Sequence, residues 1–574
     1  MRINYLFKLY KCLFFNINKL NDLHFDKFTQ KNLRLTFLHI YKSDFLIKFF
    51  FSFVLIIVWL ISLKCKFLNI PKTIIPFLYF RLEEIVFSTL FIQNKNFSEN
   101  LNITNHFYKK KSYENIVVGS GPSGAITGYY LSKNKKECLI LEKGKQVNLF
   151  KNKHPGKEFL YKWLNSGLNS TIYPNMISFS AGSCLGGGSE INSGLFHYPT
   201  KEFINTWIKE YEVESLNYKN LIKNFDEILH LCPVSKIDSH QGSKNFFLSG
   251  IKKNKLSFEH VPSFYHGGDL NNKNSMTKTF LKFFQENNGD ICTNINVKKI
   301  KKKNDNTWEV FAIDNKKKNI VFNARNIFLN CGSIQTNKIL INSKIKGDYS
   351  SFSLHPMTKA IVEFDENVQS GHENVHSYQL DHFFPDFIIG EASSGEQFIQ
   401  TYCYNSKEYQ NHILKNWKKM SIYHSTFSFG EGKIYKIPFI NKFLFFYNIK
   451  KNELDNLKNA SKKLCRVLFD GNAKYIYFSI DNKLHKFTAD NYIEKIKLFT
   501  KISSFKFSSV HILGGVKLGE AQICPFDSFG EHKLLKNLYV FDSSTINHKL
   551  LKNPQGAVMS LALRNIKNFL NKNL

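Results

Sequence analysis

The stretch that decides the fold is NIVVGSGPSGAITGYYLSKNKKECLILEKG, residues 115–144. It predicts an apolar strand, a glycine-rich turn, a helix and a second apolar strand. Gly119, Gly121 and Gly124 form GxGxxG directly after the first strand. The first glycine permits a tight turn, the second lets backbone approach a pyrophosphate, and the third lets helix and strand pack closely. The helix that follows offers free N–H groups to phosphate oxygens.

The second strand ends in an acidic residue, Glu142, 18 residues after Gly124. A carboxylate at this place accepts hydrogen bonds from the ribose hydroxyls of a dinucleotide. The motif alone leaves FAD and NAD open, and a glycine-rich turn in an unrelated α/β domain is the alternative. The residues that we expect to contact the dinucleotide here are Gly119, Gly121, Pro122, Ser123, Gly124, Glu142 and Lys143.

The chain length and the spacing of the cysteines limit the classes of protein to which this chain can belong. A chain of 574 residues is long enough for roughly two to four domains and a large buried core. Its 10 cysteines are scattered and include no CxxC pair. We therefore predict neither a disulfide framework nor a metal or iron–sulfur site.

The net charge of +33 would suit a nucleic-acid-binding protein, but its distribution argues against one. The lysines are spread along the chain, often beside asparagine, as in KKKNDN at residues 301–306. This pattern is typical of solvated loops in a compositionally biased chain. No helix-turn-helix, zinc-finger or RNA-binding aromatic signature accompanies it, so we expect no nucleic-acid partner.

Residues 1–112 differ from the rest in being rich in Phe, Leu, Ile and Lys. They contain FLIKFFFSFVLIIVWLISL, residues 45–63, whose 19 residues carry one charge, Lys48. About 20 apolar residues span a bilayer, and no signal-peptide cleavage pattern follows. We predict an apolar helical segment that associates with a membrane, with a buried or interfacial helix as the alternative. Lysines on both sides leave the membrane side open.

A second glycine-rich block is AGSCLGGGSEINSGLFHYPT, residues 181–200, where backbone can pass against a flat group. It resembles a block of the glucose–methanol–choline oxidoreductases, a family of FAD enzymes, of the form G-x-x-L-G-G-G/S-S-x-I-N followed by an aromatic residue and a proline. Ser183 departs from the basic or amide residue usual there. The matching positions are Gly182, Leu185, Gly186, Gly187, Gly188, Ser189, Ile191, Asn192, Phe196 and Pro199.

Further blocks follow in the family's order. NIFLNCGSIQTNKILINS, residues 326–343, is similar to the family's A-A-G-A-I-Q-T-P, with Asn337 in place of proline. SLHPMTK, residues 353–359, resembles its D-H-P segment, with Leu354 in place of the acid. KNLYVFDSSTINHKLLKNPQGAVMSLALRNI, residues 536–566, resembles its C-terminal block.

The resemblance implies an α/β fold. It consists of a Rossmann-like FAD-binding domain of the p-hydroxybenzoate-hydroxylase type and a substrate domain of a sheet with helices, preceded by the N-terminal apolar segment. We place the discontinuous FAD-binding domain at 113–200, 260–345 and 505–574. The substrate domain then takes 201–259 and 346–504.

The cofactor that the resemblance implies is non-covalent FAD, because Ile191 stands where some members attach FAD through a histidine. The family uses Asp542 near the ribityl and pyrophosphate groups, and Val297 stands where a backbone contact to adenine is common. Beyond the first turn, the implied cofactor-binding residues are Gly187, Gly188, Ser189, Asn192, Val297, Gly332, Asp542, Pro554 and Gln555.

Oxidation of an alcohol requires a proton acceptor and a group that holds the alcohol oxygen. A neutral imidazole suits the first task because its pKa lies near working pH. The resemblance assigns these roles to His511 of HILGG and Asn553 of NPQG. Asn553 is also a candidate helix N-cap. The HxxGG form is similar to cholesterol-oxidase-like and long-chain-alcohol members.

The sequence alone leaves open some alternative catalytic residues and some alternative activities. His197 and His548 are alternative histidines, and Glu391 is either a further base or an exposed carboxylate. We expect an alcohol substrate, and the aromatic-rich middle of the chain favours an apolar one; the expected electron acceptor is oxygen or a membrane carrier. The alternatives are a sugar or gluconate dehydrogenase that reduces a membrane carrier, and a flavin-binding protein that has lost its activity.

Overall fold

A computed structural model describes residues 102–148, 155–237, 242–265, 272–369, 377–403, 406–439, 442–546 and 551–573. The strands, numbered in chain order, are β1 (Asn102–Thr104), β2 (Ser112–Val118), β3 (Cys138–Leu141), β4 (Gln146–Asn148), β5 (Ile177–Phe179), β6 (Glu259–His260), β7 (Asp290–Cys292), β8 (Asn296–Lys302), β9 (Trp308–Ile313), β10 (Asn319–Leu329), β11 (Ser351–Leu354), β12 (Met357–Glu363), β13 (Tyr378–Leu380), β14 (Ile388–Ala392), β15 (Met420–Thr426), β16 (Glu431–Ile437), β17 (Lys442–Asn448), β18 (Tyr475–Ile480), β19 (Lys483–Phe487), β20 (Phe507–Ser509), β21 (Ile512–Leu513) and β22 (Leu538–Val540).

The helices are numbered in the same way. They are α1 (Pro122–Lys133), α2 (Pro155–Lys162), α3 (Lys201–Tyr211), α4 (Tyr218–Leu231), α5 (Ser243–Lys253), α6 (Phe280–Glu286), α7 (Ser333–Asn342), α8 (Glu396–Cys403), α9 (Lys407–Asn416), α10 (Glu453–Asp470), α11 (Tyr492–Lys495) and α12 (Gln555–Lys572).

The first layer is a sheet in which β7, β3, β2, β10, β9 and β8 are neighbours in that order, with β22 also paired to β10. Strands β7, β3, β2, β10 and β22 run parallel. Parallel strands are covered on both faces and so are continuously apolar. Accordingly Ile116 and Leu139 face one buried cluster, whereas Val117 and Ile140 face another. This confirms the strand, turn, helix and strand that residues 115–144 predict.

Helix α1 lies close on this sheet because of a small residue. A Cβ added at Gly128 would come within 2.7 Å of the Ile140 side chain. Helices α3, α4, α6 and α12 contribute to the same buried cluster as α1. One face of the sheet, the face of Val117 and Ile140, is therefore covered by these helices.

A second layer is a mixed sheet ordered β19, β18, β12, β15, β14, β13 and β6, joined at β12 by β20 and through β20 by β5. A smaller sheet, ordered β17, β16, β11 and β21, lies beside it. Helix α10 buries one long face, including Leu457, Leu464 and Leu468, against the second sheet. The expected combination of a Rossmann-like domain with a sheet-plus-helices domain is thus present.

The division along the chain differs from the predicted boundaries at four elements. Helices α3 and α4, assigned to the substrate domain, bury Trp207 and Phe225 with residues of α1 and α12. Strands β5 and β20, assigned to the FAD-binding domain, pair in the second sheet. Hydrophobic periodicity predicts that a helix or strand is buried, but it does not specify the layer against which it packs.

The predicted membrane helix at residues 45–63 lies outside the described residues. Within the described ranges, no helix combines the length and the apolar character needed to cross a bilayer.

The contact between α5 and α10 yields a test of the second layer. A Cβ at Gly250 of α5 would lie 1.8 Å from the carbonyl oxygen of Val467 in α10. Alanine normally stabilises a helix interior by about 1 kcal/mol relative to glycine. Here Gly250→Ala forces the helices apart, and we expect a loss of about 1–3 kcal/mol in the free energy of unfolding, measured by urea titration.

Gly242→Ala, at the N-cap of the same helix, is the control. Its added Cβ would meet its nearest atom, in Val368, at an ordinary 3.5 Å. We expect its stability to stay within about 0.5 kcal/mol of the parent. A Gly250→Ala protein as stable as the parent would contradict the close helix contact.

Candidate active site

The glycine-rich turn after β2 is shaped by two contacts inside the protein and one open position. Gly119 has a φ of +98°, and a Cβ there would lie 2.5 Å from the carbonyl oxygen of Asn330. A Cβ at Gly124 would lie 2.0 Å from the oxygen of Gly119, whereas one at Gly121 would meet no atom within 4 Å. Gly121 is also the N-cap of α1 and supplies no side-chain acceptor. The turn therefore leaves a helix N-terminus open to an anion.

The buried carboxylate of Glu142 is held in place by this turn. One oxygen accepts hydrogen bonds from the Ser120 N–H at 3.0 Å and the Ser120 hydroxyl at 2.7 Å. The other accepts from the Gly144 N–H at 2.7 Å. A carboxylate has about four acceptor positions. One position thus remains open, and a ribose hydroxyl would fit it.

Asp542 joins the end of β22 to the start of α7. One carboxylate oxygen accepts from the Gly332 N–H at 2.8 Å and the Thr336 hydroxyl at 2.5 Å. The other accepts from the N–H and hydroxyl of Ser544 at 2.8 Å and 2.6 Å. Burial raises the pKa of Asp542, and the hydrogen bonds from Ser544, Thr336 and Gly332 act against that rise. The Asp542 carboxylate thus links the segment after β22 to the start of α7, which lies about 200 residues earlier in the sequence.

The second glycine block touches the first. Gly187 has a φ of +57°, and a Cβ there would lie 2.8 Å from the Cα of Gly121. Gly188 resembles Gly121 in having no atom within 4 Å of an added Cβ. Two open glycines therefore lie next to each other, with backbone exposed for the approach of a flat group or a phosphate.

Asn192, in the same block, reaches the start of α12. Its amide nitrogen donates to Gln555 Oε1 at 2.6 Å. By contrast, the Ser189 hydroxyl donates to the Gly186 oxygen at 2.8 Å and accepts from the Met276 N–H at 3.0 Å. Ser189 therefore holds the glycine block in place through hydrogen bonds on the side away from the cavity.

One cavity of about 730 Å³ connects these parts. Of the residues predicted to form the site, Gly124 and Ser189 do not line it; both support the glycine turns from behind. The predicted residues that line it are Gly119, Gly121, Pro122, Ser123, Glu142, Lys143, Gly187, Gly188, Asn192, Val297, Gly332, His511, Asp542, Asn553, Pro554 and Gln555. The open glycines, the helix N-terminus and the ribose-compatible carboxylate fit a dinucleotide such as FAD.

His511 and Asn553 form a hydrogen-bonded row with two further side chains. His511 Nε2 lies 3.3 Å from Asn553 Nδ2, and His511 Nδ1 lies 2.9 Å from His355 Nδ1. Gln379 Nε2 donates to Asn553 Oδ1 at 3.3 Å. Because an amide nitrogen can only donate, His511 Nε2 must carry the lone pair and Nδ1 the proton in the neutral ring. The acceptor nitrogen thus faces the cavity.

The charge state of His511 follows from its surroundings. Burial lowers its pKa to about 4. At neutral pH the ring is therefore uncharged and available as a proton acceptor. His355, which is 2% exposed, accepts the Nδ1 proton and holds the ring in that tautomer.

The segment that carries His511 is fixed on both sides. The Ser333 hydroxyl donates to the Gly514 oxygen at 2.6 Å, and the Asn337 amide donates to the same oxygen at 3.3 Å. The Gly514 N–H donates to the Ser543 oxygen at 3.0 Å. Asn337, which departs from the family pattern, therefore has a definite structural role.

The structure bears on three alternatives that the sequence leaves open, for Asn553, Glu391 and His197. Asn553 does not cap α12, whose N-cap is Pro554. The Glu391 carboxylate is buried, not exposed, and accepts hydrogen bonds from the hydroxyls of Ser243 and Ser421. His197 is buried and does not line the cavity.

The other alternative histidine, His548, lies outside the described residues. The residues that sequence reasoning missed are His355 and Gln379. His355 had a signal in the segment SLHPMTK, residues 353–359. Gln379 had none, because it reaches Asn553 only through the pairing of β13 with β14.

Comparisons with known proteins agree with this geometry. Residues 113–357 match the model of the family described as GMC oxidoreductase. A GMC-type oxidoreductase of Sinorhizobium fredii is 22% identical over 470 residues, covering 78% of this chain and 93% of that protein. A long-chain-alcohol oxidase of Arabidopsis thaliana is 24% identical over 498 residues, covering 78% of this chain and 67% of that protein.

Among solved structures, pyridoxine 4-oxidase from Mesorbium loti superposes with a TM-score of 0.63 at 12% identity. The alignment covers 80% of this chain and 99% of that one. A formate oxidase superposes with a TM-score of 0.61 at 13% identity, covering 82% of this chain and 99% of that one. These likenesses show the same fold.

The two turn glycines give a paired test of the cofactor site. Gly121 faces open space, so Gly121→Ala should leave the protein folded but obstruct the cofactor. We expect FAD affinity to fall about tenfold or more, measured by fluorescence titration after FAD removal, with little change in thermal stability.

Gly124→Ala is the comparison variant, because its Cβ would overlap the Gly119 oxygen. We expect both FAD affinity and thermal stability to fall. Unchanged FAD affinity in Gly121→Ala would show that the cofactor does not approach this turn.

Proposed function

We propose that this chain, whose residues 113–357 match the GMC oxidoreductase family model, is an FAD-dependent oxidoreductase of that family and oxidises the CH–OH group of an alcohol to a carbonyl. His511 is the proton acceptor in this proposal, and Asn553 holds the alcohol oxygen. The observation that carries it is the pairing of His511 Nε2 with Asn553 Nδ2 at the wall of the dinucleotide cavity.

In the reaction an alcohol oxygen replaces the direct 3.3 Å contact between His511 Nε2 and Asn553 Nδ2. An alcohol between the two side chains donates its hydroxyl proton to His511 Nε2, and its oxygen accepts from Asn553 Nδ2. The Asn553 amide is kept in this orientation by Gln379. His511 Nδ1 donates to His355, which supports the positive charge that the ring acquires.

Bound FAD supplies the acceptor for the hydride that leaves the carbinol carbon. Pro554 and Gln555 line the cavity at the N-terminus of α12. The positive end of a helix favours negative charge developing beside it. The residues that would hold the cofactor are those of the two glycine turns, together with Glu142 and Asp542.

Three finer points belong to the same proposal. FAD is bound non-covalently, because Ile191 offers no nucleophile at the position where some relatives attach it. Oxygen is the electron acceptor, as the name of the long-chain-alcohol oxidase relative suggests. Membrane association rests only on the composition of residues 45–63.

The test is an anaerobic screen of alcohols for bleaching of the bound flavin. With a substrate found, His511→Ala should slow flavin reduction by about 10²–10⁴-fold while FAD stays bound, because the proton acceptor is lost. His382→Ala, at an exposed histidine outside the cavity, is the control and should behave like the parent. Reduction at a parental rate in His511→Ala would reject the base assignment.

The pKa of His511 fixes the expected pH dependence. Its pKa in the folded protein is about 4, below the value of about 6.5 for a free histidine. We expect kcat/KM for flavin reduction to be flat through neutral pH and to fall as pH drops through about 4, where the ring becomes protonated. Stopped-flow reduction at a series of pH values measures this. An inflection near pH 6.5 would contradict an acceptor whose pKa is lowered by its surroundings.

A further inference from the structure

The cavity extends from Asn553 across one face of the second sheet. The register pairs Gln379 with Gly390, Gly390 with His424, and His424 with Lys359. These four residues therefore form a row across β13, β14, β15 and β12. All except Gly390 line the cavity. Since neighbouring strands lie about 4.8 Å apart, the row extends roughly 14 Å from Gln379 to Lys359.

Gly390 opens the middle of this row. A Cβ there would lie 3.1 Å from His424 Nε2 and 3.7 Å from the Gln379 side chain. Because glycine has no side chain, the space between Gln379 and His424 extends down to the sheet backbone. The row is thus a trough that begins at the alcohol-binding amide and ends at a lysine.

The walls of the trough are largely apolar. Met357, Ile388 and Ile422 lie on the same face of the sheet and line the cavity. Phe398 of α8 lines it as well. A molecule in the trough therefore meets hydrogen-bonding groups at one end, and apolar side chains beside His424 along its middle.

The far end of the trough carries an unneutralised positive charge. The Lys359 ammonium lies 5.5 Å from the centre of the Tyr402 ring. Within the described residues, no carboxylate pairs with Lys359. A half-buried ammonium without a carboxylate partner, at the end of a cavity with apolar side chains, is placed to pair with an anionic group of a bound molecule.

A second lysine strengthens this reading. The Lys506 ammonium lies 5.7 Å from the same Tyr402 ring. Thr358 pairs with Phe507 in antiparallel register, and Lys506 directly precedes that pair. Two lysine ammonium groups therefore lie near the same aromatic ring at this end of the trough.

We propose that the substrate is an alcohol with an anionic group, a carboxylate, at the end remote from its hydroxyl, and that Lys359 binds this group while the apolar middle lies along the trough. The inference rests on the proposed alcohol oxidation and names its substrate class. It modifies the expectation of an apolar alcohol, because a molecule without an anionic group would leave Lys359 without a charged partner.

The test uses the FAD-loaded enzyme and a series of terminal hydroxycarboxylic acids of increasing length. Each acid is compared with the neutral alcohol of equal length and with its methyl ester, by anaerobic flavin reduction. We expect one range of lengths to show a kcat/KM for the acid about tenfold or more above both neutral compounds. Terminal hydroxyalkyl phosphates in the same assay distinguish a carboxylate from a phosphate at the cationic end.

Lys359→Met removes the charge and keeps the length of the side chain. We expect the ratio of kcat/KM for acid over neutral alcohol to fall about 10- to 100-fold, and Lys359→Arg to retain most of it. Lys486→Met is the matched control: Lys486 is also half-buried in the same sheet, 3.6 Å above the Tyr475 ring, and does not line the cavity. This control should keep the parental ratio.

A direct binding measurement separates the two proposals. Calorimetry with carboxylic acids that lack the hydroxyl should detect binding to the parent and Lys486→Met proteins, and weakened binding to Lys359→Met. A parent that oxidises neutral alcohols as well as acids, or a Lys359→Met protein that keeps the preference, overturns the anionic substrate class and leaves alcohol oxidation standing. If no alcohol bleaches the flavin, alcohol oxidation fails, and the calorimetry still decides whether Lys359 binds an anion.

Discussion

The backbone of residues 507–516 is the connection on which the rest of the site depends. Phe507–Ser509 pairs into the second sheet, and Ile512–Leu513 pairs into the smaller sheet beside it. The N–H groups of Gly514 and Val516 then donate to the oxygens of Ser543 and Ser544, at the end of the dinucleotide layer. Ten consecutive residues thus join three parts of the molecule, and His511 lies where they meet. The proton acceptor is thus held by two sheets and by the turn that follows β22.

The chemistry of the row around His511 depends on low polarity. Burial keeps the ring neutral, and the neutral ring has one donor and one acceptor nitrogen. The same burial makes its hydrogen bonds to His355 and Asn553 stronger than they would be in water. It also makes the protein sensitive to acid. The unfolded chain binds a proton at His511 near pH 6.5, whereas the folded chain resists until about pH 4, so this group lowers stability as pH falls through that window.

Sequence reasoning succeeded where a residue type is required by local backbone geometry. Gly119 and Gly124 could be read from the chain because no other residue fits those turns, and the strand before them has an unmistakable apolar pattern. His511 and Asn553 could be named because they follow ordered blocks. The row from Gln379 to Lys359 could not be predicted, since it exists only through the register of strands far apart in sequence. The packing of α3 and α4 was missed for a related reason: an amphipathic helix does not specify which apolar layer it joins.

The row across the second sheet has a mechanical consequence. Its ends are separated by interstrand spacings, which backbone hydrogen bonds hold nearly constant. Side chains along one strand can change their reach by rotating, but the width of a sheet is fixed in steps of one strand. A cavity that runs across strands therefore has a length fixed by the spacing between them. It selects bound molecules by length in steps of about one strand spacing.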